Sequence, residues 1–192
     1  MKTKLLEFIS KIPSLSEEEG KQIAENITVR EYPKGTVLLK EGQKNTECYF
    51  VLKGCVRQYF FADGEEKTTS FFTEEQAVVS VTSYMGQTLS NHYLSCVEDS
   101  ILIVGDFNAG VEMYQKFPKL ESITRMMMEQ DYGKIQDSLT SFITSSPEER
   151  YLNLLKTRPE LLQRVPQHQI ASYLGMKPES LSRIRKRIFI KK

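Results

Sequence analysis

The chain has 192 residues, of which 40% are hydrophobic and 27% charged, enough for a sizeable core in one or two soluble domains. Its longest apolar runs, Cys48 to Leu52 and Ile101 to Val104, fall far short of the roughly 18 residues a membrane span needs, and three scattered cysteines exclude a disulfide framework. The net charge of +1 divides unevenly: residues 146–192 hold 11 Lys/Arg against 4 Asp/Glu, a net of +7, while residues 1–145 hold 15 against 21, a net of −6.

A basic end on an acidic body suits a nucleic-acid-binding module, although a solvated basic tail has the same composition. Leu5 to Pro13 carries Glu7 and Lys11 and lacks the apolar run of a secretory signal, so the chain reads as cytoplasmic with no membrane partner. Cys48, Cys55 and Cys96 read as inert thiols, and neither they nor His92 and His168 offer a metal spacing; no cofactor is expected.

In chain order, residues 3–26 read as short helices. Leu5, Leu6, Phe8, Ile9 and Ile12 fall at helical spacing, Pro13 interrupts, and Ser16 followed by Glu17, Glu18 and Glu19 has the form of an N-cap with first-turn acids. From Ile27 to Phe107 the period changes to two, with turn signals every eight to twelve residues at Pro33-Lys34-Gly35, Glu41-Gly42, Lys53-Gly54, Asp63-Gly64 and Glu98-Asp99. Many short strands without an intervening long helix indicate an antiparallel jelly roll or β-roll, and the helices around it make the fold class α+β.

Residues 118–145 form a long helical pattern in which Leu120, Ile123, Met127, Ile135, Leu139 and Phe142 fall near a three-four spacing. Such a face packs either on its own β-roll or on a second copy of itself, and the second makes Leu120, Ile123, Met127, Ile135 and Leu139 a homodimer seam. Ser145-Ser146-Pro147 ends the helix, with Ser146 capping the next one and Pro147 at its first position. The domains expected are 1–117, 118–145 and 146–192.

The basic segment holds the sharpest pattern. Ile170 and Leu174 lie one turn apart, and Ala171 falls where a second helix can cross closely. Gly175 suits a left-handed turn, Pro178 opens the next helix, and Leu181 and Ile184 return that helix to the core. This is a helix-turn-helix, and its outward positions form the candidate DNA surface: Gln167, His168, Lys177, Pro178, Glu179, Ser180, Ser182, Arg183, Lys186 and Arg187. Arg and Glu read base edges, while Ser and Lys take phosphates.

With these segments in order, the chain resembles the Crp/Fnr family of bacterial transcriptional regulators. Pro33 to Gly42, Tyr49 to Gly54 and Ala62-Asp63-Gly64 resemble the motifs of its cyclic-nucleotide-binding β-roll, and Ile170 to Arg187 resembles its DNA-binding helices. The resemblance implies a β-roll sensor, a dimerisation helix and a winged helix-turn-helix that binds palindromic double-stranded DNA as a homodimer, with RNA polymerase as a further partner. It maps base reading to Glu179 and Arg183, and Pro178 stands where the family commonly contacts a guanine. At the ligand site Val79-Ser80 and Asn91-His92 replace the Gly-Glu and Arg-Ser pairs that hold cyclic AMP, so the effector is an unknown small molecule or none. His92 reads as a core or surface histidine, or as a cation for another anion once protonated. Ile188 to Lys192 leaves room for at most one short strand in place of the family's wing.

A second reading keeps the β-roll as a ligand-responsive interaction module and makes the C-terminal helices a protein docking surface. An enzyme is not expected, because no nucleophile elbow, phosphate-binding glycine loop or paired carboxylates are present.

Overall fold

A computed structural model of the chain describes residues 1–79, 86 and 88–190. Helix α1 covers Lys2–Ile9 and α2 covers Glu17–Asn26. Ser16 closes a capping box with Glu19: its hydroxyl accepts from the Glu19 N–H, and the Glu19 carboxylate accepts from the Ser16 N–H. The strands are β1 Thr28–Tyr32, β2 Val37–Leu39, β3 Glu47–Lys53, β4 Val56–Ala62, β5 Glu65–Phe72, β6 Ala77–Val78, β7 Tyr93–Cys96 and β8 Ser100–Asp106. Then come α3 Phe107–Lys116, α4 Pro118–Thr144, α5 Pro147–Thr157, α6 Leu161–Arg164, α7 Gln167–Tyr173 and α8 Pro178–Ile190. None of these helices is long and apolar enough to cross a membrane.

The strands form two antiparallel-paired sheets, ordered β1-β8-β3-β6 and β2-β7-β4-β5. This is the antiparallel β-roll that the alternating pattern indicates. Tyr49 and Val51 of β3 pair with Val104 and Leu102 of β8, and all four point into a core shared with Leu39, Val56, Val78, Leu94 and Cys96. The intervening Phe50, Ile101 and Ile103 point the other way, together with Leu52, onto Leu5, Ile9, Ile23 and Ala24 of the first two helices. Both faces of these central strands are covered, so positions 48–52 and 101–104 are continuous apolar runs rather than alternating ones. Burial pushes the Cys96 thiol up to about 11 and Cys55 is also buried, as expected of inert thiols, whereas Cys48 is half-buried.

The chain divides into two compact units: Met1–Gln58 with Phe71–Asp131, and Tyr59–Ser70 with Tyr132–Lys192. These cut across the expected segments 1–117, 118–145 and 146–192, because α4 is shared and the β4–β5 hairpin groups with the C-terminal helices. Toward the expected wing, α8 stays helical to Ile190, so residues 188–190 extend the helix in place of a short strand, and Lys191 and Lys192 lie outside the described residues.

Candidate nucleic-acid interface

Each of the C-terminal helices buries apolar side chains. Tyr151 and Leu154 of α5, Leu161 of α6, Val165, Ile170 and Ala171 of α7, Leu174, and Leu181 and Ile184 of α8 are all buried. Ser146 caps α5 in a second capping box, with Glu149 as its partner and Pro147 at the first position. Helix α7 ends in a Schellman motif: the Gly175 N–H donates to the Ser172 carbonyl and the Met176 N–H to the Ala171 carbonyl, both at 3.0 Å. Gly175 carries φ +67°, the left-handed conformation that sends the chain from α7 into α8.

The polar remainder of α7 and α8 holds the candidate interface residues. Gln167 and His168 are exposed at the start of α7, and Lys177, Pro178 and Glu179 are exposed at the start of α8. Arg183, Lys186 and Arg187 are exposed further along, while Ser180 and Ser182 are half-buried. The Arg183 guanidinium lies 3.5 Å from the Ser180 hydroxyl and donates to it weakly. Arg187 has a different employment, since its guanidinium forms an ion pair with Glu148 of α5. It links α8 to α5; Lys177, just before α8, and Glu179, Arg183 and Lys186 on it are exposed as well.

Two features of this unit have no sequence motif. Arg150 of α5 gathers the carbonyl ends of two helices: its Nε donates to Leu174 at 2.9 Å, and its Nη1 to Phe142 and Ser145 at 3.2 and 3.1 Å. The same guanidinium lies 4.5 Å from the Phe142 ring centroid. A cation at two helix C-termini is favourably placed against both dipoles, and it ties the last turn of α4 to the helix-turn-helix. The second feature is Ser172 of α7, whose hydroxyl bonds to the backbone of β5.

The expected dimer seam separates into two parts. Ile123 is 7% exposed and Leu120 and Met127 are half-buried, so the first turns of α4 are closed within the protomer; Ile123 is not available to a partner. Ile135 and Leu139 are 63% and 58% exposed, in a row with Tyr132, Phe142 and Ile143. That row extends over about 17 Å at the 1.5 Å helical rise.

Of the expected effector residues, Val79 is half-buried, Ser80 lies outside the described residues, Asn91 is exposed, and His92 is 4% exposed. The Asn91 carboxamide oxygen and His92 Nδ1 are 3.0 Å apart, and the Ser90 hydroxyl donates to the His92 carbonyl. Burial holds the imidazole below the usual histidine range, which favours its neutral form and opposes the reading of a protonated anion receptor. The unfolded chain then takes up a proton that the folded chain resists, so stability falls as pH drops through the ordinary histidine value of about 6.5. His92→Gln is expected to flatten this part of the acid dependence, read as urea midpoints between about pH 7.5 and 5.5. Parallel curves for the two proteins would refute the assignment.

Residues 29–115 match the cyclic nucleotide-binding domain family. No curated protein sequence matches the chain. Among solved structures the chain is similar to FixK2 from Bradyrhizobium japonicum, at 16% identity over 86% of this chain and 85% of that one, with a TM-score of 0.68. It is similar to a CooA variant from Carboxydothermus hydrogenoformans, at 17% identity over 97% and 84% with a TM-score of 0.70. A third likeness is to CLP, the c-di-GMP-responsive global regulator of Xanthomonas campestris, at 16% identity over 89% and 92% with a TM-score of 0.70. At these identities the likeness is one of fold.

Proposed function

From the premise that the chain has the fold of the Crp/Fnr regulators and carries a cyclic nucleotide-binding domain over residues 29–115, we propose that it is a homodimeric, sequence-specific DNA-binding regulator of transcription that does not respond to cyclic AMP. The observation that carries this reading is the division of α8. Leu181 and Ile184 are buried, whereas Lys177, Glu179, Arg183 and Lys186 are exposed at and beyond its first turn. The N-terminal end of a recognition helix enters the major groove, where Arg reads guanine by two hydrogen bonds, Glu accepts from cytosine, and Lys takes phosphate. The exposed row on α4 supports a C2 dimer, and two such helices one DNA turn apart, about 34 Å, read a palindrome.

An exposed Asn91 and a buried, neutral His92 give the cyclic phosphate no charge-assisted partner, so cyclic AMP is not the proposed effector. The β-roll then senses another small molecule or none, and contact with RNA polymerase belongs to the same proposal.

Selection of duplexes from a random pool, followed by gel shifts with the winning operator, tests the reading. Arg183→Ala is expected to weaken operator binding by about 5- to 150-fold and to relax the preference at one base pair per half-site. Lys186→Ala is expected to weaken all sequences alike and to reduce the salt slope by about one unit. A pool that yields no preferred sequence at moderate salt would sink the proposal in favour of a protein-docking role for these helices.

A further inference from the structure

The outer edge of β5 is closed by a side chain instead of a strand. β5 ends its sheet, so every second residue turns an N–H and a C=O away from β4, groups that otherwise face water or invite another strand. At Glu66 and Thr68 one hydroxyl satisfies both. Ser172 Oγ donates to the Glu66 carbonyl and accepts from the Thr68 N–H, each at 2.9 Å. A carbonyl at one residue and an N–H two residues on are the pair a neighbouring strand would bond, so the α7 side chain stands in for a ladder partner. Thr68 is buried, and its amide has little access to replacement water.

Ser172 is well placed to transmit this contact. It follows Ala171, fully buried at the helix crossing, and its own carbonyl receives the Gly175 N–H of the turn that leads into α8. Charge runs the same way: the Glu65 carboxyl is held below the usual carboxylate range by Lys67 first and also by Lys177, the residue that precedes α8.

We propose that Ser172 is a coupling residue that makes the β4–β5 hairpin part of the DNA-reading body, so that the order of the hairpin edge and operator binding depend on each other. The consequence for DNA rests on the function proposed above; the clamp itself does not. Coupling of this kind is reciprocal: if the clamp favours the DNA-bound arrangement of α7, the operator strengthens the clamp by the same factor.

Amide hydrogen exchange on the full-length protein, with and without the operator selected from the random pool, tests the proposal in the wild type, Ser172→Ala and Ser172→Thr. Alanine keeps the helix propensity of α7, and circular dichroism checks that the variant is folded. The Thr68 amide is expected to exchange about 10-fold faster in Ser172→Ala, and operator binding to weaken by about 3- to 10-fold. Ser172→Thr, which keeps the hydroxyl, restores both. Operator is expected to slow Thr68 exchange in the wild type and not in Ser172→Ala. A Thr68 amide indifferent to Ser172→Ala overturns the clamp, and one indifferent to operator in the wild type overturns the coupling. A chain that selects no operator overturns the DNA-binding reading and the coupling with it, while the comparison without DNA still decides the clamp.

Discussion

Ile135→Asp combined with Leu139→Asp is expected to yield a folded monomer whose operator affinity is at least about 100-fold below that of the wild type. The two side chains are 63% and 58% exposed in the protomer, so carboxylates there have little effect on its own packing. In a C2 dimer each substitution appears twice, and four apolar side chains leave the interface while four charges enter it. A fully buried Leu or Ile contributes about 1.5–3 kcal/mol, and an unpaired carboxylate in its place adds a desolvation cost. Monomerisation removes the second half-site from effective concentration, and such linkage is typically worth about 100- to 10,000-fold. Sedimentation or light scattering reads the mass, and gel shifts read the affinity. The same charges placed off the row at Gln130 and Ser138 serve as control, and a double variant that remains dimeric would remove this face from the interface.

Gly175→Ala is expected to destabilise the C-terminal unit by about 1.5–3 kcal/mol and to weaken operator binding more than 10-fold. At φ +67° any Cβ carries a cost of about 1–2 kcal/mol. The new methyl would also lie 2.8 Å from the Phe142 Cζ, so the ring has to move. That ring is stacked beneath Arg150, and moving it disturbs the contact that joins the end of α4 to the carbonyl of Leu174, at an additional cost of about 0.5–1 kcal/mol. The two causes separate in a double variant. Phe142→Leu on the Gly175→Ala background is expected to recover the steric part of the loss and leave the conformational part, read by thermal melts and gel shifts. A Gly175→Ala protein as stable as the wild type would show that the turn can adopt another conformation.

The helix-turn-helix was legible because each of its requirements is local. A small residue at the crossing, a glycine at a left-handed turn, a proline at a first helical position and apolar residues three or four apart are conditions a few residues meet by themselves, and Ala171, Gly175, Pro178 and Leu181 meet them. The two capping boxes at Ser16 and Ser146 were legible for the same reason. The β-roll followed from its turns and its period of two.

Other features depend on residues far apart in the chain. Ile123 and Ile135 look equivalent in the helical pattern of α4, yet one is buried within the protomer and the other exposed. Arg187 reads as a free cation in the helix pattern, and Glu148, 39 residues away, takes it into an ion pair. His92 reads equally well as a surface or core histidine until strand packing buries it and favours the neutral ring. Ser172, an ordinary polar residue of a short helix, has its role only because β5 ends a sheet and offers it two backbone groups more than 100 residues earlier in sequence.

By itself, then, the sequence determined the elements, the order in which they occur and the apolar face of each helix, since these depend on backbone preference and burial periodicity within a few turns. Tertiary structure decided which outward residues stay exposed and which acquire a partner: pairing, exposure and edge closure depend on what the fold brings opposite each side chain. The exposed Lys177, Glu179, Arg183, Lys186 and Arg187 were named by the helix pattern, and only the fold brought Glu148 of α5 opposite Arg187.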